Sequence, residues 1–402
     1  MAQLRSKKIR IAAITSVATA ALVGGFTALP AQAAPAKGTV LAAGSPTAIK
    51  DSYIISLKKT AGFKASSSEG KELINEYGGT VKKTFGAALN GYTATLSADE
   101  AARLAADPSV ATVEQNQTVH LTDTTQTSAP WGLDRIDQAA LPLSTTYTYP
   151  DTAGTGVTAY VIDTGVRITH TQISGRATYG YDAVEGDSVA QDGNGHGTHV
   201  ATTIAGSTYG VAKKANIVAV RVLDNAGSGT TAGVIAGINW VTSNHSGPSV
   251  ANMSLGGGAS TTLDTAVSNS IASGVTYAIA AGNSNANASS YSPARVAAAI
   301  TVGATTSTDA RASYSNYGSV LDVFAPGSSI VAGYNTSDTA TATLSGTSMA
   351  TPHVAGAAAI YLASHTSATP AQVSAALVAG ATSNVVTSPG TGSPNKLLKI
   401  VP

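Results

Sequence analysis

Four polar residues lie directly after apolar stretches of the chain, and their side chains are those of a nucleophilic enzyme. They are Asp163 at the end of "AYVID", His196 in "DGNGHGTHVA", Asn283 after "YAIAAG" and Ser348 in "SGTSMATPHVAG". A carboxylate that orients an imidazole, which in turn removes a proton from a hydroxyl group, makes an alcohol nucleophilic. An asparagine amide can donate to the oxyanion that the attack creates. Asp, His, Ser is one of the known orders of such a triad, so these residues predict acyl transfer by a serine.

Each of these residues also has a simpler interpretation. Asp163 could cap a turn, Asn283 could be a left-handed turn residue, and Ser348 could cap the helix that follows it. His196 and His199 have a spacing that places two zinc ligands on one helix face. The zincin pattern also needs a glutamate after the first histidine and a third ligand, and neither is present. We therefore predict His196 as a general base, with flanking glycines that let a substrate backbone approach, and His199 as an interior histidine.

The region that begins at Trp131 alternates apolar runs with helices of small residues. The predicted strands are "GVTAYVID", "NIVAVRVL", "SVANMSL", "GVTYAIAAG" and "AAITVGA", and the predicted helices are "GTHVATTIAG", "TTAGVIAGINWVTSN", "TLDTAVSNSIASG" and "MATPHVAGAAAIYLASH". Continuous apolar strands separated by helices predict an α/β fold, with a mostly parallel sheet and helices on both of its faces. Because sites in such folds lie at the carboxyl ends of the strands, the four polar residues occur where a site is expected.

A smaller module precedes this region. Residues 51–116 have the pattern β-α-β-β-α-β, which predicts an α+β domain of the ferredoxin-like type. Ser97 and Glu100 have the spacing of a capping box at the start of its second helix. Residues 34–50, rich in Ala, Gly and Pro, are interpreted as a linker. Residues 117–130 are polar and without periodicity, so we expect them to be exposed and flexible.

The first part of the chain has the features of a targeting segment. Residues 1–33 combine a basic head, a run of small apolar residues, and Ala31 and Ala33 in the spacing of a cleavage site. This arrangement predicts a secretory signal peptide, and hence a secreted, extracellular protein with no membrane segment in its mature form. The alternative is a membrane anchor, for which the apolar run is short and is weakened by glycines and a proline.

Composition excludes several classes of function. The 402 residues have a net charge of +1 and no basic patch, so we expect no nucleic-acid partner. There is no cysteine, which excludes thiol catalysis, disulfides and cysteine-based zinc sites. With 43% hydrophobic and 11% charged residues, the chain is expected to be folded rather than disordered.

Taken together, the motifs resemble those of the subtilisin-like serine proteases, and of the proteinase K branch in particular. The motifs that carry the resemblance are "VIDTGV", "DGNGHGTHVA", "SLGGG", "AAGNSN", "GTSMATPHVAG", "APWGLDRI" and "YSNYGSVLDVFAPG". The resemblance implies a three-layer subtilisin-like fold for residues 124–402. It also implies an inhibitory propeptide of the I9 type for residues 34–123, after a signal peptide of residues 1–33.

Catalytic roles follow from the same resemblance. Asp163 would orient and stabilise His196, and His196 would carry a proton from Ser348 to the leaving amine. Ser348 would attack the peptide carbonyl and form an acyl-enzyme. Asn283, together with the backbone N–H of Ser348, would form the oxyanion hole.

The resemblance also implies that substrate lies as an added strand between two edges of the catalytic domain. The implied binding residues are Gly227, Ser228 and Gly229 on one edge, Ser254, Leu255, Gly256 and Gly257 on the other, and Ala280, Ala281 and Gly282 in the primary pocket. None of them is acidic, so we expect a broad endopeptidase that cuts polypeptides after apolar or aromatic residues. We expect the enzyme to be a monomer.

A structural calcium ion (Ca2+) is a further implication. Asp322 and the carbonyl groups of Ala297 and Ala299 match the ligands of relatives in this branch, and oxygen ligands suit calcium. The alternative is that Asp322 only caps a loop.

The propeptide has a physical rationale. A parallel sheet is rich in non-local contacts and folds slowly, so a small module that docks on it could help it to fold. We expect the propeptide to be an intramolecular inhibitor as well as a folding aid. The predicted junction is near Asp123–Thr124. A cut after Leu121 is the alternative, because an aspartate suits an apolar pocket poorly.

Two rival functions were weighed against proteolysis. A catalytically inactive relative that only binds other molecules would not need the intact set of four residues. A lipase or esterase predicts a G-x-S-x-G elbow and the order Ser, Asp, His, and the sequence around Ser348 has neither.

Overall fold

The chain divides into two units, Met1–His120 and Leu121–Pro402, each with its own hydrophobic core. A computed structural model describes residues 35–45, 47–117 and 123–401. The predicted signal peptide and the alternative cleavage site after Leu121 lie outside the described residues. No helix in these ranges is long and apolar enough to cross a membrane.

The first unit is a five-stranded sheet with two helices. Its elements are β1 (Val40–Leu41), β2 (Ala48–Leu57), α1 (Ser68–Glu76), β3 (Thr80–Phe85), β4 (Gly91–Thr95), α2 (Ala98–Leu104) and β5 (Val110–Gln117). The sheet order is β1-β5-β2-β4-β3, and the four longer strands pair antiparallel with one another. This is the ferredoxin-like arrangement that the sequence predicts. The capping box is present too, since Ser97 Oγ accepts from Glu100 N at 3.3 Å and Ser97 N donates to Glu100 Oε2 at 2.7 Å.

The linker predicted for residues 34–50 is only partly correct. It contains β1, which pairs in parallel with β5, and the first residues of β2. Two residues are too few for an alternating pattern, so β1 is visible only through its pairing with a strand far along the chain.

The second unit is built on a nine-stranded sheet. Its strands are β6 (Asp123–Thr127), β7 (Thr146–Pro150), β8 (Thr158–Asp163), β9 (Ala177–Asp182), β10 (Asn216–Arg221), β11 (Ser249–Met253), β12 (Gly257–Gly258), β13 (Thr276–Ala280), β14 (Tyr291–Ser292), β15 (Ile300–Thr305), β16 (Val323–Pro326), β17 (Ile330–Gly333), β18 (Thr341–Leu344), β19 (Thr382–Ser383) and β20 (Lys396–Leu397). Its helices are α3 (Trp131–Asp137), α4 (His196–Ala205), α5 (Thr231–Asn244), α6 (Thr261–Ala272), α7 (Thr347–Ser364) and α8 (Pro370–Gly380). The large sheet has the order β19-β20-β16-β15-β13-β11-β8-β10-β9, and every pair except β19–β20 is parallel.

Helices cover both faces of this sheet, as the sequence predicts. On β8, Ala159 and Val161 belong to the core shared with α4, α7 and α8, whereas Tyr160 and Ile162 belong to the core shared with α5 and α6. Successive side chains of a strand point to opposite faces of the sheet. Both faces of β8 are therefore buried, which explains its continuous apolar sequence. The result is the three-layer α/β architecture.

Helix α7 runs through the interior of this unit. It packs against α4 and crosses β11, β13 and β15. Its small residues allow this close approach, because a Cβ atom on Gly356 would lie 2.5 Å from Cβ of Val211. The serine at the start of α7 is therefore held by a helix that is largely buried.

Residues 117–130, which the sequence predicts to be exposed and flexible, contain a strand. Residues Asp123–Thr127 form β6, which pairs antiparallel with β7. The segment is polar because β6 is largely exposed, and its partner strand β7 begins some twenty residues later. Neither local composition nor periodicity could reveal the pairing.

Candidate active site

Strand β8 ends at Asp163, and helix α4 begins at His196, so that the two side chains meet at the carboxyl edge of the sheet. His196 Nδ1 lies 2.7 Å from Asp163 Oδ1, and the backbone N–H of Thr164 donates to the same oxygen at 2.7 Å. Asp163 is fully buried, which argues against a simple turn cap. Its second oxygen, Oδ2, is buried without a hydrogen-bond partner among the described residues.

The pKa of His196 is raised above its ordinary value of 6.5. Burial alone lowers this pKa, but the charge of Asp163, the hydrogen bond to it and the charge of Asp192 together outweigh the effect of burial. An imidazole held in this way can accept a proton and remain stable as a cation.

Ser348 is the second residue of α7, and it does not cap the helix. The N-cap position is Gly346, and no side chain caps this end of the helix. The Ser348 hydroxyl donates instead to the carbonyl oxygen of Ser254 at 3.1 Å. Within the part of the chain that the structure describes, the hydroxyl makes no hydrogen bond to His196. The hydroxyl thus points away from its own helix and towards Ser254, which lies in the loop after β11.

Asn283 lies after β13, beside the start of α7. Its Oδ1 accepts from the backbone N–H of Thr347 at 2.8 Å and from Thr347 Oγ1 at 3.0 Å. The amide nitrogen makes no hydrogen bond to any other described residue, so its donors are free. The left-handed residue of this turn is Gly282, with φ of +100°, and not Asn283.

Thr347 is a site residue that the sequence interpretation missed. Besides binding Asn283, its Oγ1 accepts from the backbone N–H of Gly282 at 3.1 Å. It therefore ties the loop after β13 to the first turn of α7. The only signal in the sequence for a role of Thr347 was its position next to Ser348. That signal is weak, because threonine is also an ordinary residue in the first turn of a helix.

A cavity of about 290 Å³ opens beside Ser348 and Asn283. The predicted residues that line it are Leu255, Gly256, Gly257, Ala280, Ala281 and Gly282. Tyr291 and Ala294 also line it and were not predicted. Their position results from the pairing of β12 with β14, in which Gly258 lies opposite Tyr291. The local sequence does not encode this contact.

A second cavity of about 310 Å³ lies next to the first and shares its glycine wall. Gly227, Ser228 and Gly229 line it, as the prediction of a second edge implies. Apolar side chains of Leu223, Val234 and Leu263 complete it. Ser254 lines neither cavity; it contacts the backbone of Ser348 instead, with its Oγ donating to that carbonyl oxygen at 2.8 Å.

His199 is an interior residue, as expected. Its Nε2 lies 3.0 Å from the carbonyl oxygen of Ile330, and burial lowers its pKa to about 4. Throughout the described ranges, no group of three or more His, Asp or Glu side chains could hold a metal ion. The zinc interpretation of His196 and His199 therefore has no support.

Asp322 lies just before β16, next to the predicted calcium ligands. Its Oδ2 accepts from the backbone N–H of Thr301 at 2.7 Å, and burial raises its pKa to about 6. Since no Lys, Arg or His pairs with it in the described regions, a cation would balance its charge. Ala297 and Ala299 precede β15, the strand that pairs with β16, so this set of oxygen donors fits a hard cation such as calcium.

Comparison with known proteins identifies the family of the chain. The model of the subtilase family matches residues 154–396, and the model of the peptidase inhibitor I9 matches residues 52–122. An extracellular serine proteinase of Thermus sp. (strain Rt41A) is 56% identical over 321 residues, which is 80% of this chain and 78% of that protein. Alkaline serine exoprotease A of Vibrio alginolyticus is 51% identical over 373 residues, 90% of this chain and 69% of that protein.

Among solved structures, a cold adapted subtilisin-like serine proteinase is similar to this chain. It has 56% sequence identity and a TM-score of 0.67, and the match covers 69% of this chain and 100% of that chain. The chain therefore belongs to the subtilase family of serine proteases, with an I9-type inhibitor domain ahead of its peptidase domain.

Proposed function

We propose that the protein is a secreted serine endopeptidase that is made as a zymogen and acts through Asp163, His196 and Ser348. One observation carries the proposal: the buried carboxylate of Asp163 lies 2.7 Å from Nδ1 of His196. At the same edge of the sheet, α7 presents a serine that does not cap its helix. A protein that only binds other molecules does not need a buried carboxylate paired with a histidine near a serine hydroxyl.

Catalysis begins with a rotation of the Ser348 side chain. Its hydroxyl leaves the carbonyl of Ser254 and turns towards Nε2 of His196. His196 accepts the proton while Ser348 Oγ attacks the peptide carbonyl carbon, and the carbonyl oxygen becomes an oxyanion. His196 then gives the proton to the leaving amine as the C–N bond breaks, which leaves an ester on Ser348. A water molecule hydrolyses this ester by the same route and restores the enzyme.

Two donors stabilise the oxyanion. Because Thr347 occupies Oδ1 of Asn283, the amide of Asn283 presents its nitrogen and not its oxygen. The N–H of Ser348, as the second residue of α7, has no acceptor within the helix. Both donors are in place before the charge appears, which is what makes such stabilisation effective.

The two cavities support a preference for apolar side chains. The cavity beside Ser348 has walls of glycine and alanine backbone and no charged side chain, so an apolar or aromatic side chain before the scissile bond fits it. The second cavity combines leucine and valine side chains with serine and threonine residues, and it would take another side chain of the same strand. The substrate backbone would pair with residues 227–229 and 254–257 as an added strand.

Processing and secretion complete the proposal. The I9-type domain is an intramolecular inhibitor and folding aid, and the enzyme removes it by its own activity. Secretion is supported by the signal-peptide pattern of residues 1–33 and by the extracellular relative of Thermus sp.. A calcium ion held by Asp322, Ala297 O and Ala299 O would neutralise a buried charge and stabilise the fold without taking part in the chemistry.

A fluorophosphonate probe tests the proposal directly. It should label the processed protein at Ser348, and labelling should disappear in Ser348→Ala and fall sharply in His196→Ala. Ser345→Ala, which changes an exposed serine three residues earlier, is the matched control and should label normally. Labelling that survives Ser348→Ala, or a wild-type protein that the probe does not label, would refute the assignment.

A further inference from the structure

Asp192 is a buried carboxylate next to the site that the mechanism above does not use. It is 3% exposed and accepts five hydrogen bonds. Oδ1 accepts from Thr164 Oγ1 at 2.9 Å and from the backbone N–H groups of Asn194 at 2.9 Å and Gly195 at 2.8 Å. Oδ2 accepts from Thr198, from its backbone N–H at 2.9 Å and from its hydroxyl at 2.6 Å. All five donors are neutral, so none cancels its charge.

These bonds build the first turn of α4, of which His196 is the first residue. The N-cap residue is Gly195, which has no side chain to accept from the free N–H groups of the helix. Asp192 performs this task for Gly195 and Thr198. Thr164 Oγ1 accepts from the N–H of Gly197 at 2.9 Å while donating to Asp192, so it links the strand of Asp163 to the helix of His196.

The turn before His196 is also held from outside. The hydroxyl of Tyr334 donates to the carbonyl oxygen of Asn194 at 3.1 Å, and Asn335 Nδ2 donates to the carbonyl oxygen of Asp192 at 3.1 Å. The backbone around Asp192 therefore has supports that do not depend on its carboxylate. A change of the carboxylate alone should therefore loosen this turn without unfolding the domain.

Charge is the second property that points to a role for Asp192. Among the described residues it has no ion-pair partner, so its field is free to act on the imidazole of His196. Burial lowers the pKa of His196, whereas the charges of Asp163 and Asp192 raise it. His199, from the next turn of α4, interacts electrostatically with His196, and His353 of α7 interacts in turn with His199. Burial lowers the pKa of each to about 4, so both are neutral at neutral pH.

We propose that Asp192 is a positioning residue for His196: it fixes the first turn of α4 and provides a second negative charge that stabilises the imidazolium formed during catalysis. The inference rests on the proposed function, because it gives His196 the role of general base. It adds that two carboxylates assist the histidine. Asp163 binds the imidazole directly, whereas Asp192 holds the first turn of the helix and acts on the imidazole by its charge.

The variant Asp192→Asn separates these effects from a merely structural role. We expect kcat of the processed enzyme to fall by about tenfold or more, since a small displacement of a general base is costly. We also expect the acidic limb of the pH profile of kcat/KM to move to lower pH, because the imidazole loses a stabilising charge. The control Asp187→Asn removes the same charge from an exposed site, where solvent screens it, and should leave the profile in place.

An acidic limb that does not move in Asp192→Asn would overturn the proposal, whatever happens to kcat. If this variant is not secreted in folded form, Thr164→Val provides the test. It retains the charge of Asp192 but removes the link to Gly197, so kcat should fall while the acidic limb stays in place, and Thr164→Ser should restore kcat. Full activity of Thr164→Val would then overturn the proposal. Fluorophosphonate labelling at Ser348 in each variant shows whether the proposed function itself still holds.

Discussion

Ser348 and Ser254 hold each other by two hydrogen bonds in opposite directions. The hydroxyl of Ser348 donates to the carbonyl oxygen of Ser254 at 3.1 Å, and the hydroxyl of Ser254 donates to the carbonyl oxygen of Ser348 at 2.8 Å. The loop after β11, which forms a wall of the primary cavity, is thereby fastened to the helix that carries the serine. The wall and the nucleophile should therefore keep a fixed distance while substrate binds.

Substituting Ser254→Ala should weaken this connection. The change removes the bond to the Ser348 carbonyl and leaves Asn252 Nδ2, which donates to Ser254 Oγ at 2.9 Å, without an acceptor. We expect a loss of about 1–3 kcal/mol in the free energy of unfolding and a severalfold decrease in kcat/KM. Ser289→Ala, which changes an exposed serine that lines neither cavity, should change neither quantity. Equal behaviour of the two variants in denaturant titration and peptide hydrolysis would contradict this role.

Activity should depend on pH through His196. The imidazole must be neutral to accept a proton, so kcat/KM should fall as the pH decreases through a pKa above the ordinary 6.5. Asp163→Asn removes the charge and hydrogen bond that raise this pKa, so the acidic limb should move down and kcat should fall by about 10⁴.

The same shift has a consequence for stability. A raised histidine pKa stabilises the folded protein fully below 6.5, and this contribution is lost as the pH rises through the raised value. Melting curves at different pH values, recorded for Ser348→Ala and for the double variant that also carries Asp163→Asn, measure this contribution to stability. The Ser348→Ala background prevents autolysis. A pH profile of Asp163→Asn that matches the wild type would be inconsistent with the Asp163–His196 pair.

The primary cavity should be narrowed by Gly256→Val. A Cβ atom at Gly256 meets only the carbonyl oxygen of Ser292 at 3.4 Å, so the fold should accept the side chain, which then projects towards the substrate. We expect cleavage after Phe and Tyr to fall by about tenfold or more relative to cleavage after Ala, since each lost methylene-sized contact costs ~1 kcal/mol. A peptide library digested by both enzymes gives the ratio. An unchanged ratio would place the specificity pocket elsewhere.

Calcium should stabilise the protein through Asp322. Burial raises the pKa of this carboxyl to about 6, so without a cation the folded protein loses stability as the pH rises from 3.8 through that value. We expect calcium to raise the melting temperature at pH 7 in the wild type but not in Asp322→Asn. In a chelator, Asp322→Asn should be at least as stable as the wild type, by up to about 3 kcal/mol, because it removes an unpaired buried charge. A calcium effect of equal size in both proteins would assign the ion to another site.

Refolding should require the N-terminal domain. The large sheet joins strands from distant parts of the chain, for example β8 with β11, so its closure is slow. After dilution from denaturant, residues 124–402 alone should recover less than about a tenth of the activity that they recover when residues 34–123 are added as a separate chain. Efficient recovery by the isolated domain would show that the propeptide is not a folding aid. N-terminal sequencing of the secreted enzyme would locate the cleavage site.

The sequence by itself determined the chemical groups and the kind of scaffold. Asp163, His196, Asn283 and Ser348 could be recognised because each follows a strand or opens a helix, and continuous apolar strands can only be buried on both faces. Periodicity and end signals are local properties, so β8, α4 and α7 were predictable to within about two residues.

Only the tertiary structure decided which groups cooperate across the chain. The bond from Thr164 to Asp192, the paired serines 254 and 348, and the position of Tyr291 in the cavity all join residues that are separate in sequence or paired through a short strand. A hydrogen bond at 2.8 Å depends on how whole elements pack, and no local pattern encodes that distance. The same reason explains why β6 was not predicted: its polar residues form a strand only because they pair with β7.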